Sequence, residues 1–395
     1  MSSRLISLNS DLSRLKDDGY DVEVLPGYLL VKGVPYVTAQ KVIKRGVLVS
    51  VLTLSGETAV PPTSHVAMFA GEYPCDRDGV EIEQIRHAPS SESIAGRLLA
   101  NYSFSAKPVP NLTYDNYYHK MTAYIAILSG PAGQLDPGAT ARSYLAHAPE
   151  DHESVFNYHD TASSRAGIDA ATSKLEVAKI AIIGLGGTGS YVLDLISKTP
   201  AGEIRLFDGD TFFNHNAFRS PGAATIDDLN KGLPKVQYFK DRYQAMHRNI
   251  VVHNCYIDDT NFGLLQGMNF VFLCLDRGGV KKQLIEWLEQ FRVPFIDVGM
   301  GVDIVDGSLV GILRTTTSTE TSRDHVRSRV SFADGDGNDD YTRNIQVADL
   351  NALNASLAVI KYKKFLGFYQ DARNEYNSNY SINANTIVNE DCHEE

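Results

Sequence analysis

The chain has 395 residues, 43% hydrophobic and 22% charged, with a formal charge of −11. That is the composition of a globular protein long enough for two domains. The acidic balance argues against a binder of phosphate backbones, so no nucleic-acid partner is expected. No run approaches the ~18 apolar residues of a membrane-spanning helix. The first fifteen residues are mixed polar, include Asp11 and lack the apolar core of a secretory signal, so a cytoplasmic protein is expected. Cys75, Cys255, Cys274 and Cys392 are scattered without a C-x-x-C pair, which gives neither a disulfide framework nor a zinc site.

In chain order, the first part carries short strand-like runs at 22–25, 28–31, 47–54 and 65–69. They are broken by Pro26-Gly27, Ser55-Gly56, Pro61-Pro62 and Gly71. A further apolar run, 122–128, is ended by Ser129-Gly130-Pro131. This reads as a smaller α+β domain over 1–155. His65, His87 and Cys75 match no metal-ligand spacing. The polar stretch 148–171 is expected to hold the linker to a second domain, 156–395.

The pattern then becomes strand, helix, strand. The apolar run 180–183 fits a strand buried on both faces. A helix is expected to begin near Ser190, with Val192, Leu193, Leu195 and Ile196 inward. Strands at 203–207, 271–275 and 294–298 follow, with a helix at 280–291 between the last two. A long helix at 345–365 carries a stripe of Leu350, Leu353, Leu357 and Ile360, read as core packing. Alternating strands and helices predict an α/β fold with a doubly wound, mostly parallel, Rossmann-like sheet.

Gly184, Gly186, Gly187 and Gly189 lie between the first of these strands and its helix. In that context glycines let the backbone approach a phosphate at a helix's positive end. Asp208 ends the next strand, where an acid can bond ribose hydroxyls. Up to here a nicotinamide enzyme and an ATP enzyme are equally served. Asn216, Arg219 and Lys235 separate them, because attack on the α-phosphate of ATP needs cations and amide donors while hydride transfer does not. Asp276, at the carboxyl edge of the sheet, suits a magnesium ion, which takes a carboxylate together with phosphate oxygens.

In these residues the sequence resembles the ubiquitin-activating enzyme superfamily, in particular its ThiF and MoeB branch. The glycine turn is complete, and Asp208, Asp210, Asn216 and Arg219 fall at the family spacing. Lys235 follows Gly232 as in the family's G-x-x-K, Asp276 closes a strand, and Lys281 stands where the family often has Arg. The resemblance covers 174–366. It implies that Asp208 binds ribose, that Asn216, Arg219 and Lys235 contact phosphates, and that Asp276 positions magnesium. It further implies a homodimer in which Arg165, closer to the glycine turn than is usual in the family, reaches the ATP of the other subunit. The implied reaction is ATP-dependent adenylation of the C-terminal carboxylate of a ubiquitin-like protein with a flexible tail.

Three departures stand out. Ser220 and His215 replace a Gln and a Ser, the paired C-x-x-C motifs are missing, and no cysteine lies in the region beyond the strand at 294–298 that includes 315–322. Where thioester-forming members carry their nucleophile, 315–322 is rich in Thr and Ser, read as an exposed loop or a speculative ester acceptor. Acyl transfer to a separate protein, such as a conjugating-enzyme-like acceptor, or to a poorly placed thiol such as Cys75 or Cys392, is therefore expected. The first domain resembles an uncharacterised module fused ahead of ThiF-like domains in bacteria, which implies a protein-conjugation pathway, with phage defence as one setting. The alternatives left open are an NAD- or FAD-dependent oxidoreductase on the same fold and a nucleotide-binding scaffold without catalysis.

Overall fold

The computed structural model describes residues 2–109, 112–145, 154–176, 178–332 and 345–392; part of the expected linker, 148–153, lies outside them. The described residues form two compact units, one drawn from 1–153 with 158–168, the other from 154–157 with 169–395.

The first unit opens with α1 (Ser2–Leu8) and α2 (Ser10–Asp17). The strands β1 (Asp21–Leu25), β2 (Tyr28–Val37) and β3 (Ile43–Val51) follow. After a small hairpin of β4 (Leu54–Ser55) and β5 (Thr58–Ala59) come β6 (Val66–Ala70), β7 (Arg86–Ile94) and β8 (Leu98–Ser105). The main sheet is antiparallel, in the order β1-β2-β3-β6-β8-β7. The helix α3 (Tyr117–Leu135) starts on Asn116, whose side chain accepts from the His119 N–H at 2.9 Å. Its Tyr117, Met121, Tyr124 and Leu128 join Leu29, Val31, Leu48 and Phe69 in one core.

Pro131, expected to end the run at 122–128, lies inside α3. A proline there forfeits one helical hydrogen bond, while Leu128 and Ala132 stay buried on either side of it. Lys120 is buried in the same helix and donates to Ser50 Oγ, Ser64 O and Val66 O at 2.8, 2.9 and 2.8 Å. Burial pulls its amine down to about 8. A one-turn α4 (Thr161–Ala166), capped by Asp160, carries Arg165.

The second unit runs α5 (Asp169–Thr172), β9 (Lys179–Ile183), α6 (Gly187–Ile196), β10 (Glu203–Phe207), α7 (Asn214–Ala217) and α8 (Ile226–Asn230). It continues through α9 (Lys235–Tyr243), β11 (Ile250–His253), β12 (Phe270–Leu273), α10 (Gly278–Gln290), β13 (Phe295–Val305) and β14 (Ser308–Ser318). α11 (Val326–Arg329), α12 (Ala348–Phe365), β15 (Asn377–Ser381) and β16 (Thr386–Glu390) complete it. The sheet order is β11-β10-β9-β12-β13-β14-β15-β16. The first five strands are parallel and the last three are added antiparallel.

Helices cover both faces, as a parallel sheet requires. Ile180, Ile182, Leu206 and Phe272 face a core shared with α6 and α12. Ala181, Ile183, Val271 and Leu273 face one shared with α10.

Two expectations need correction. The stripe on α12 is only partly the buried face: Leu350 is buried with Leu353 packed beside it, but Ile360 is 43% exposed, and Asn351, Asn354, Ala355, Ala358, Val359 and Tyr362 are buried as well. Alanine at 355 and 358 leaves room for a close approach to the sheet, which leucines would prevent. The hydroxyl-rich segment is not an exposed loop over its first part, because Thr315–Ser318 is the buried end of β14. No helix among the described residues is long and apolar enough to cross a membrane.

Candidate active site

At the end of β9 the chain turns at once, and glycine is what lets it. Gly184 has φ +88, and a Cβ there would lie 2.5 Å from the Cys274 carbonyl oxygen. Gly189 faces the Gly184 carbonyl, and Gly187 sits under the Asn351 side chain. These three glycines serve packing. Gly186 differs: a Cβ there would meet nothing within 4 Å. It opens α6, which starts at Gly187 rather than near Ser190, so open space lies at the helix's positive end.

Asp208, just past β10, is buried and clamps this turn. Its carboxylate accepts from the N–H of Leu185 at 2.7 Å and of Asp210 at 2.8 Å. Burial raises its carboxyl, partly opposed by Lys235. Lys235 opens α9 because its N–H bonds the Asp210 carbonyl at 2.9 Å, while Pro234 bridges Thr211. Its Nζ lies 2.6 Å from Asp210 Oδ2 and 3.7 Å from Asp208 Oδ1. Burial would lift the Asp210 carboxyl, but hydrogen bonds from Lys235 and Tyr256, with the charges of Lys235 and Arg277, hold it below its usual range.

Asn216 is buried in the single turn of α7. Its Oδ1 accepts from the Phe213 N–H at 2.9 Å, which leaves Nδ2 buried without a partner. Arg219 Nε is likewise buried and unpaired, and its guanidinium meets no carboxylate among the described residues. Asn351 accepts from Thr188 Oγ1 at 2.9 Å and donates to the Arg219 carbonyl at 3.4 Å, which fastens this loop to the glycine turn. Burial and the charges of Arg219 and Lys235 push the His215 imidazole down, so both cations lie within electrostatic reach of it.

The glycine turn, Asp208, Asp210, Asn216, Arg219 and Lys235 are thus brought to one end of the sheet. Asp276 is exposed on the loop between β12 and α10, at that same carboxyl edge, and bonds none of them. Arg165 is exposed on α4 of the first unit.

Two orphaned buried donors, one open glycine position and a cation cluster fit an anionic, phosphate-bearing ligand, since buried donors without acceptors are costly. Asp276 is the free carboxylate that would hold a magnesium ion beside phosphate oxygens.

Cys75, Cys255 and Cys274 are disfavoured as nucleophiles, because burial raises each thiol. Nearby carboxylates add to the effect on Cys75. Cys392 is exposed beside Asp391, which pairs with Arg329. Sequence reasoning missed Asn351, Tyr256 and Arg277, and it left Lys281 without a local role. Lys281 lies 2.9 Å from Asp297, a fully buried acid on β13 that Arg314 also bonds, so it pins the first turn of α10 to the sheet. The one available signal was two asparagines three apart, Asn351 and Asn354, in the mostly apolar stretch 350–360.

Comparison with known proteins agrees with this geometry. The model of the ThiF family matches residues 160–393, and that of a domain of unknown function, DUF6791, matches residues 10–161. The molybdopterin-synthase adenylyltransferase of Haemophilus influenzae is 25% identical over 176 residues, 44% of this chain and 70% of that protein. The enzyme of the same name from Salmonella typhimurium is 28% identical over 125 residues, so the chain spans 49% of its length. A tRNA threonylcarbamoyladenosine dehydratase of H. influenzae is 26% identical over 133 residues, covering 32% of this chain and 49% of that one. Among solved structures, E. coli MccB with ATP is similar at 19% identity and a TM-score of 0.44, over 56% of this chain and 65% of that one. With the glycine turn, the acid loop and the lysine in register on a parallel sheet, the chain belongs to the ThiF family.

Proposed function

We propose that the chain uses ATP to adenylate the C-terminal carboxylate of a small ubiquitin-like protein with a flexible tail, giving acyl-AMP and pyrophosphate. The observation that carries this reading is the pair of orphaned donors, Asn216 Nδ2 and Arg219 Nε, on a loop that Asn351 fastens to the glycine turn. That set suits a polyphosphate. The curated relatives named adenylyltransferases support the same reaction class.

No side chain is needed as a base, because a carboxylate is ionised at pH 7. Its oxygen attacks the α-phosphorus and the bond to pyrophosphate breaks. Asp208 orients the ribose, Asn216 donates to phosphate oxygen, and Arg219 and Lys235 offset the negative charge that moves onto the leaving group. A magnesium ion held by Asp276 supplies further charge to the phosphates. We further propose a homodimer, with Arg165 serving the partner's site. The acyl group would pass to a separate conjugating-enzyme-like acceptor in a bacterial protein-conjugation pathway, phage defence being one such setting.

The test is ATP–pyrophosphate exchange that depends on a tail-bearing protein. Asp276→Ala is expected to abolish exchange while melting like the parent chain, because Asp276 is exposed and holds no contact the fold needs. Near-normal exchange in that variant would overturn the assignment.

A further inference from the structure

Tyr256 lies just beyond β11 and joins three segments of the site. Its ring rests on the acid loop: a Cβ on Gly209 would sit 2.9 Å from the ring carbons. Its hydroxyl donates to Asp210 Oδ1, and the other oxygen of that carboxylate takes Lys235 Nζ at 2.6 Å. The same ring carries the Arg277 guanidinium, 4.3 Å from its centroid. Arg277 directly follows Asp276 in the chain.

The two cations are held in opposite ways. Lys235 spends its charge on Asp210 and, further off, on Asp208. Arg277 makes no ion pair among the described residues, although its charge reaches the Asp210 carboxylate. An aromatic face fixes a guanidinium by its quadrupole and leaves the charge uncancelled. Apolar burial does not account for the tyrosine, which is 46% exposed. Its contacts are with the backbone of the acid loop, a carboxylate and a guanidinium.

We propose that Tyr256 is a positioning residue for nucleotide binding: it presents Arg277, which makes no ion pair among the described residues, as a cation toward the phosphates while holding Asp210 in place for Lys235. This rests on the ATP-binding reading above and adds to it a residue that touches no reacting atom.

The experiment uses the full chain and calorimetric titration with ATP and, separately, adenosine. Tyr256→Leu removes the platform and is expected to weaken ATP binding about tenfold, within the range of a guanidinium–aromatic contact and its hydrogen bond. Adenosine affinity should not move. Tyr256→Phe keeps the ring and should restore most of the ATP affinity. Arg277→Gln should match Tyr256→Leu, and the double variant should lose little more, because both act through one cation.

Unchanged ATP affinity in Tyr256→Leu overturns the proposal, as does an equal loss of ATP and adenosine. In either case ATP binding by the parent chain still stands. A parent chain that binds no ATP sinks the adenylation reading together with this one.

Discussion

Lys235 and Arg219 are both cations of the phosphate region, yet their removal leaves different things behind. Lys235 is buried between Asp208 and Asp210. Lys235→Ala strands Asp208, a buried carboxylate, and is expected to cost about 3 kcal/mol of stability as well as activity. Arg219 compensates no acid, so Arg219→Ala is expected to unfold within about 0.5 kcal/mol of the parent while exchange falls at least about a hundredfold. Denaturant titration beside the exchange assay separates the two. An Arg219→Ala chain as unstable as Lys235→Ala would mean that the arginine is structural. Asp208, Asp210 and Lys235 were legible in the sequence because their spacing follows the chain order of strand, loop and helix. Asn351, Tyr256 and Arg277 were not. Asn351 and Tyr256 reach the site from segments outside the motif, Arg277 joins it through the Tyr256 ring, and only the packed sheet decides which side chains meet.

At the scale of elements, the strand, glycine turn and helix of β9 and α6 make a sharper test than any single charge. Gly189→Ala would drive a methyl into the Gly184 carbonyl, a backbone atom that cannot yield, so we expect severe destabilisation. Gly186→Ala places its methyl in open space. It should fold normally and lose ATP affinity, because the methyl occupies the place a phosphate would take. Thermal melts with and without ATP report both effects, and a Gly186→Ala chain stabilised by ATP as strongly as its parent would contradict the placement. The elements themselves were unevenly legible. The run at 180–183 is short and wholly apolar, and that at 203–207 is short with Ile204, Leu206 and Phe207 apolar; they became β9 and β10. The polar β7, read as no strand, is formed by pairing with β8. Much of the inward face of α12 escaped periodicity because asparagine and alanine, at 351, 354, 355 and 358, lie there beside Leu350, Val359 and Tyr362.

For the whole molecule, the question is what a second copy adds. Phe218 is 81% exposed one residue before Arg219, and Phe213 and Ile226 are also exposed on the loops around it. Apolar side chains grouped beside a site are a feature of surfaces that become covered, and in a twofold dimer each copy would cover the other's. Arg165 is exposed and has no acid partner among the described residues, as a residue reserved for another molecule would be. If it acts across the dimer, Arg165→Ala and Asp276→Ala damage different sites. A mixed dimer then holds one site with both defects and one with neither. Each variant alone should be inactive in exchange, and an equal mixture, unfolded and refolded together, should regain about a quarter of the parent activity, since half the dimers are mixed and each has one intact site. Action within one copy predicts the reverse: every site in the mixture carries one defect, and refolding restores nothing. Phe218→Asp, by opposing assembly, should abolish the recovery while the chain stays folded, and a monomeric parent in sedimentation would remove the premise.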